Sequence, residues 1–319
     1  MRVLVTGATG FIGRHMCPAL RAAGHDVSVA VRRKDFPDMP EAAAFHVVPD
    51  IGPETDWTEA VTGAEVVVHL AARAHVTKET AADPGAEFHR VNAEGTASLA
   101  AAAASAGVRR VVFISSSKVA GERTGDRPFN ESDPPQPGDA YGISKWDGEK
   151  ALLDIASQSG LEAVILRPPL VYGPGVKGNF LSLLKLCRLA PPLPFAAINN
   201  RRSFIYVGNL ADAAVRCLDA EEAAGETYFV RDGEDMSTPD LIRRLALAMG
   251  RPARLFPVPA GVLGLAGLVT GKSAVMARVV GNLQVDDQKI RRQLGWTPPS
   301  DVVKGLHETA AWFGSGKTP

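Results

Sequence analysis

The chain has 319 residues, and its 35 basic and 35 acidic side chains cancel to a formal net charge of zero. Such a balance supplies no global field for nucleic acid or an anionic membrane, so any anion must be held locally. A hydrophobic fraction of 45% and a charged fraction of 22% are those of a soluble globular protein with a substantial core. Cys17, Cys187 and Cys217 are scattered, form no metal-ligand spacing and make no even-numbered disulfide framework, which points to a reducing cytoplasm and no metal.

The opening "MRVLVTG" enters a strand directly, without a leader-like segment. In chain order, "RVLVTG" is an apolar strand ending in glycine, and "FIGRHMCPALRAAG" has helical periodicity and stops at Gly24. "DVSVAV", "AAFHVVPD" and "AEVVVHLAA" are further strands. One long alanine-rich helix is expected over 87–106, then a fifth strand "RRVVFISSS", a helix from near Tyr141, and a strand "LEAVILRPP". Nearly continuous Val/Ile/Leu strands separated by helices predict an α/β, doubly wound parallel sheet over residues 1–169. Residues 170–319 read as a smaller α/β lobe with prolines at 191, 192 and 194; "SFIYV" and "TYFV" suggest that parts of about 203–232 return to the sheet. "LFPVPAGVLGLAGLVTG", from Leu255, is shorter than the ~20 residues a spanning helix needs and contains Pro257 and Pro259; a buried or dimer-facing helix is expected, with peripheral membrane contact as the minor alternative.

"VTGATGFIG" closes the first strand and opens the first helix, with Gly7, Gly10 and Gly13 three residues apart. Glycine permits a tight turn and close backbone approach to a diphosphate, which the helix N-terminus then holds with free amides. Tyr141 and Lys145, in "DAYGISK", lie four apart and share a helix face.

These glycines, "HLAA" at 69–72, "SSS" after strand five and Tyr141-x-x-x-Lys145 together resemble the extended short-chain dehydrogenase/reductases. "RPPLVYGPG", "RRSFIYVGNLADA" and "LGWTPP" extend the resemblance over nearly the whole chain, towards the NAD-dependent epimerase/dehydratase family and its UDP-glucose 4-epimerase-like branch. The resemblance implies Ser116, Tyr141 and Lys145 as the catalytic set. It implies that Gly7, Thr9, Gly10, Phe11, Ile12, Gly13, Asp50, Ile51, Leu70, Ala71, Ala72, Ser115, Tyr141, Lys145, Pro168 and Val171 hold the dinucleotide, with Asp50 on the adenine amino group. Ser117, Lys118, Asn179 and Arg202 are the implied substrate contacts, Arg202 on the diphosphate with Arg201 as its alternative. It also implies a homodimer through the two helices flanking strand five, a nucleotide-sugar partner, and supply of polysaccharide precursors.

The residues support the same chemistry. A free tyrosine has a pKa near ~10. A lysine ammonium one turn away and an oxidised nicotinamide both favour its phenolate. Ser116 leaves the C-terminal end of a strand, where ligands bind in such sheets.

Three departures narrow the reaction. Ser117 and Lys118 stand where family dehydratases carry an Asp-Glu pair, so no carboxylic acid is present to expel a hydroxyl. Ala120 replaces a frequent tyrosine and is expected to widen a pocket wall for an N-acetyl group. The second strand ends in Val31, where NAD-specific members place an acid, and Arg32, Arg33 and Lys34 follow, near Asp35 and Asp38. The family resemblance favours NAD and a UDP-hexose or UDP-N-acetylhexosamine 4-epimerase. Arg32 and Arg33 favour NADP and a 4-keto-nucleotide-sugar reductase. A non-catalytic dinucleotide-binding protein is the third alternative.

Overall fold

The computed structural model describes the chain except residues 34, 37, 38, 75–80, 272 and 317–319. Lys34, Asp38 and the last three residues of the chain therefore lie outside the described residues. The strands are β1 (Arg2–Thr6), β2 (Asp26–Val31), β3 (Ala44–Val47), β4 (Val66–His69), β5 (Arg110–Ile114), β6 (Glu162–Arg167), β7 (Leu170–Tyr172), β8 (Phe204–Tyr206) and β9 (Thr227–Phe229). The α-helices are α1 (Gly13–Ala22), α2 (Thr58–Val61), α3 (Pro84–His89), α4 (Gly95–Ser105), α5 (Ala140–Ser159), α6 (Gly178–Leu189), α7 (Val207–Arg216), α8 (Thr238–Ala248), α9 (Ala260–Val269), α10 (Ser273–Val280), α11 (Gln288–Leu294) and α12 (Val302–Gly314).

Among the described residues, seven strands form one parallel sheet in the order β3-β2-β1-β4-β5-β6-β9. The apolar runs of β1, β4 and β5 follow from this arrangement, because successive side chains enter two different cores. Val3, Val5, Val66 and Val68 pack with Met16, Leu20 and Leu210 on one face. Leu4, Val67, Val111 and Phe113 pack with Leu99, Ala103 and Leu152 on the other. A sheet covered on both faces tolerates no polar alternation. The strand order reverses between β1 and β4, so their C-terminal ends border the crevice where such sheets bind ligands.

Three elements differ from expectation. The long alanine-rich helix is α3, a π-helical turn over Arg90–Glu94, and α4. The turn widens where the Asn92 side chain bonds outward to the loop after β4. Of 203–232, β9 joins the main sheet beside β6, whereas β8 pairs with β7 in a separate two-stranded parallel sheet. Around that small sheet, Tyr172, Phe180, Leu184, Leu241, Leu245 and Leu306 build a third core. Buried Asp232 fastens it, accepting from Tyr172 Oη (2.8 Å), Asn209 Nδ2 (2.7 Å) and the Tyr206 amide (3.0 Å).

The apolar segment after Leu255 is not buried. It forms α9 and α10, which pack on each other, and only Leu263 of the large α9 side chains turns inward. Val262, Leu265, Leu268 and Val269 are 55%, 63%, 69% and 80% exposed. Pro257, Pro259 and Gly271 confine α9 to ten residues that no larger layer covers.

Candidate active site

The loop from β1 to α1 is built around its glycines. Gly7 has φ +70°, and a Cβ there would stand 2.8 Å from the Ala71 amide nitrogen. At Gly13 a Cβ would meet the Gly7 carbonyl oxygen at 2.4 Å. The Gly10 amide donates to the Gly7 carbonyl (3.0 Å), closing a tight turn over Ala8 and Thr9. Phe11 and Ile12 then lead into α1, whose N-terminus carries no side-chain cap and no acid in its first turn. Its amides and positive dipole end are left for an external anion. A dinucleotide diphosphate fits this cradle. The loop also meets the β7–α6 connection: His15 Nε2 bonds the Pro174 carbonyl (2.7 Å), and a Cβ on Gly175 would touch Phe11 at 3.5 Å. Pro168 and Val171 thereby border the same crevice as the glycine loop.

A buried relay sets the loop after β4. Thr96 Oγ1 donates to the Asn92 carbonyl (2.7 Å), so His69 Nε2–H donates to Thr96 (3.1 Å) and His69 Nδ1 accepts from Thr6 Oγ1 (2.6 Å). Thr6 Oγ1 in turn accepts the Leu70 and Ala71 amides, each at 3.2 Å. Burial, aided by Lys145, pushes His69 down to about 3, so it stays neutral. Leu70, Ala71 and Ala72 are thus held against Gly7. Asn92 closes the other side, accepting from the Arg73 amide (2.7 Å) and donating to Ser144 Oγ (2.9 Å).

Helix α5 carries the tyrosine and lysine. Asp139 caps it, accepting from the Gly142 amide (2.8 Å). Gly148 brings it close, since a Cβ there would lie 2.5 Å from the Asn92 carbonyl oxygen. Ser116, just beyond β5, accepts from the Lys118 amide (3.2 Å) and lies near enough to the Tyr141 hydroxyl to favour its phenolate, and Phe88 meets the tyrosine ring edge-on at 6.2 Å. Lys145 is buried, with Nζ 3.8 Å from the centroid of the Phe113 ring. Tyr141 thus lies beside Ser116, and Lys145 follows one turn later on the same helix. Their protonation differs from the simple expectation: burial pushes Tyr141 up to about 12 against the Ser116 hydroxyl, and burial pushes Lys145 down to about 7 against Glu149. The protein alone does not lower the tyrosine pKa.

Glu149, one turn beyond Lys145, is fully buried. It accepts from Arg167 Nε (3.0 Å) and Nη2, and from the Ser115 hydroxyl. Ser115 is thus engaged inside the protein. Sequence reasoning did not find Asn92, Phe88, Phe113, Glu149 or Arg167. Of these, the four-residue step from Lys145 to Glu149 was the readable signal.

At the adenine end, Asp50 is exposed and receives Arg90 Nη1 (2.8 Å), whose hydrogen bond holds its carboxyl below the usual range despite some burial. Arg90 also bonds Glu87 and the Ile51 carbonyl. Arg32 is close enough to act on Asp50 electrostatically. Arg33 pairs with Asp35 (3.2 Å) and covers the Phe36 ring at 4.8 Å. β2 ends in buried Val31, its carbonyl bonded to the Val48 amide.

The substrate candidates are more scattered. Ser117 is buried, its amide bonded to the Pro168 carbonyl (2.9 Å). Lys118 is held by Asp139 and by Glu122 (3.2 Å), so its charge fastens the Ser116 turn to the α5 cap. Asn179 is exposed at the start of α6. Arg202 is half-buried, with Nη1 donating to the Arg278 (2.9 Å) and Gly281 (3.1 Å) carbonyls, whereas Arg201 is exposed. Ala120 packs in a small cluster with Phe129, Phe229 and Val285, so its small side chain is consumed by core packing and opens no pocket wall.

The sheet order, glycine loop and Ser-Tyr-Lys set define an extended short-chain dehydrogenase/reductase. Residues 3–230 match the model of the NAD dependent epimerase/dehydratase family, and the chain belongs to that family. It is 42% identical to a UDP-glucose 4-epimerase of Vibrio cholerae, over 98% of this chain and 95% of that protein. The fold is also that of the Thermotoga maritima UDP-glucose 4-epimerase solved with UDP-glucose (TM-score 0.77, 23% identity, 99% of both chains). MoeE5, solved with UDP-glucuronic acid and NAD, aligns at TM-score 0.76 and 25% identity over 99% of this chain and 100% of that one.

Glu149 tests how the site sets its charge. Its carboxylate raises the Lys145 pKa, so Glu149→Gln lowers it further. Lys145 is charged below its folded pKa, and activity that needs the ammonium falls as pH rises through that value. The alkaline limb of the kcat–pH profile is therefore expected to move to lower pH in Glu149→Gln. A loss uniform across pH would leave Glu149 a purely structural part.

Proposed function

We propose that the protein is a NAD-dependent nucleotide-sugar 4-epimerase acting on a UDP-hexose or UDP-N-acetylhexosamine. The observation that carries this reading is Tyr141 beside Ser116, with Lys145 one turn on, in a chain that has a diphosphate cradle and a 42%-identical relative that is a UDP-glucose 4-epimerase. Bound NAD supplies a hydride acceptor and, once reduced, the donor that returns the hydride. Gly7, Thr9, Gly10, Phe11, Ile12 and Gly13 hold its diphosphate, Asp50 and Ile51 its adenine, and Leu70, Ala71, Ala72, Ser115, Pro168 and Val171 its remaining length. Tyr141 takes the proton from the sugar C4 hydroxyl and later gives it back; Ser116 holds the same oxygen, and Lys145 supplies charge beside the tyrosine. Arg202 is the diphosphate contact of the two arginines, because its guanidinium is already positioned; Ser117 and Asn179 complete the sugar-nucleotide side. With no acid at Ser117 or Lys118, elimination of water is disfavoured.

A second reading, a 4-keto-sugar reductase that consumes NADPH, is supported by the end of β2. There Val31 replaces an acid, and exposed Arg32 and Arg33 suit a 2′-phosphate. Incubating the purified protein with UDP-glucose, UDP-galactose or their N-acetyl forms, without added cofactor, separates the two. Interconversion of the 4-epimers is expected, reduced about a hundredfold or more in Tyr141→Phe. Turnover of a 4-keto sugar only with added NADPH would replace the epimerase, and a Tyr141→Phe protein as active as wild type would point to a non-catalytic role.

The buried, unpaired Cys17, Cys187 and Cys217 fit a reducing cytoplasm, and nucleotide-sugar supply for polysaccharides is the corresponding pathway class. No helix among the described residues is long and apolar enough to cross a membrane. The small-residue face of α4, packed with α5, suits a homodimer built on those two helices. Sedimentation velocity at micromolar protein is expected to show a dimer; a monomer would remove this assembly.

A further inference from the structure

α9 presents more apolar surface than an isolated surface helix needs. Val262, Leu265, Leu268 and Val269 are all more than half exposed, and Phe256 just before the helix is 44% exposed. Scattered surface hydrophobes are ordinary, but a contiguous set on one short helix marks an interaction surface.

The stretch of chain that carries it has charge of one sign. From residue 241 to residue 285 there is no Asp or Glu, while Arg243, Arg244, Arg251, Arg254, Lys272 and Arg278 are all basic. Arg243 and Arg244 are neutralised by Asp240 and Glu234. Arg251 and Arg254, before the helix, and Arg278, on α10, are exposed and in no ion pair among the described residues. Exposed Arg201 and Arg123 lie just after α10: the Leu283 amide donates to the Arg201 carbonyl (3.0 Å), and Arg123 is 3.4 Å from where a Cβ on Gly281 would stand. A chain that is neutral overall thus flanks its most apolar exposed helix, in sequence and on the helix packed against it, with positive charge in no ion pair among the described residues.

We propose that α9 and its basic rim form an interfacial docking element for an anionic lipid bilayer. Ten helical residues are about 15 Å long, half of the ~30 Å hydrocarbon core, so α9 lies in the interface and does not cross it. Its apolar side chains enter the headgroup boundary, and the arginines meet lipid phosphates. A second copy of the chain is the less suited occupant, since joining two such faces brings basic groups together without acids to pair them. The surface adjoins the substrate side: Arg202 is hydrogen-bonded to the Arg278 carbonyl at the end of α10. Docking therefore sets the candidate diphosphate site against the membrane surface.

The test is co-sedimentation of the full chain with phosphatidylcholine vesicles, with and without phosphatidylglycerol. Binding is expected only to the phosphatidylglycerol vesicles and is expected to weaken with salt. The double variant Leu265→Glu/Leu268→Glu should bind at least about tenfold less while keeping wild-type turnover of the soluble nucleotide sugar. Arg251→Glu/Arg254→Glu should lose the same preference without any change to α9. Wild-type protein that ignores both vesicles, or variants that bind as well as wild type, would overturn the proposal. So would a Leu265→Glu/Leu268→Glu protein that sediments as a smaller oligomer than wild type without lipid, which would give the surface to a second copy.

Discussion

The site depends on burying one lysine. Lys145 is buried with its Nζ over the Phe113 ring and near enough to His69 to act on it, and that burial costs it much of its affinity for a proton. The structure offsets the cost with Glu149, which is itself buried and must in turn be held by Arg167 and Ser115. A buried carboxylate of this kind persists only when fully hydrogen-bonded, which fixes Arg167 at the end of β6 and Ser115 at the end of β5. Ser116 follows Ser115, and Tyr141 precedes Lys145 by one turn. The positions of all three candidate catalytic groups are therefore consequences of the same buried charge chain.

The magnitudes also divide the work between protein and cofactor. Bringing Tyr141 from about 12 to about 7 requires about 7 kcal/mol of differential stabilisation of its phenolate. One unit charge about 4 Å away is worth about 4 kcal/mol at an effective dielectric constant of about 20. Even a full charge on Lys145 at that range would not cover the difference, and burial pushes Lys145 down to about 7. A second cation would have to make up the rest, and the oxidised nicotinamide of a bound NAD would supply it. On that proposal the tyrosine would serve as a base only with a hydride-accepting cofactor bound, which would tie proton removal to hydride transfer.

Much of this was legible in the chain. A parallel sheet buried on both faces writes unbroken Val/Ile/Leu runs, so β1, β4, β5 and β6 could be read directly, and Gly7, Gly10 and Gly13 marked the first crossover. What escaped depends on tertiary contacts that leave no local pattern. The π-turn at Asn92 exists because its side chain bonds Arg73 across the site. Ala120 invited a functional reading, but its surroundings are set by Phe129, Phe229 and Val285, distant in sequence and unmarked by motif; the Lys118–Asp139 pair likewise could not be read from the chain. The segment after Leu255 is apolar enough to be read as buried or dimer-facing; within the chain it is not buried, since among the described residues the two short helices pack chiefly on each other.

The most direct measurement is a tyrosinate difference spectrum. The other three tyrosines, Tyr172, Tyr206 and Tyr228, are held well above the normal range, chiefly by burial, so a phenolate signal at moderate pH reports Tyr141. With saturating oxidised NAD, one tyrosinate is expected to appear below about pH 8, and to be absent without NAD, with NADH, and in Tyr141→Phe. A phenolate of equal size in the protein without NAD, or none with it, would contradict the two-cation origin of the catalytic base.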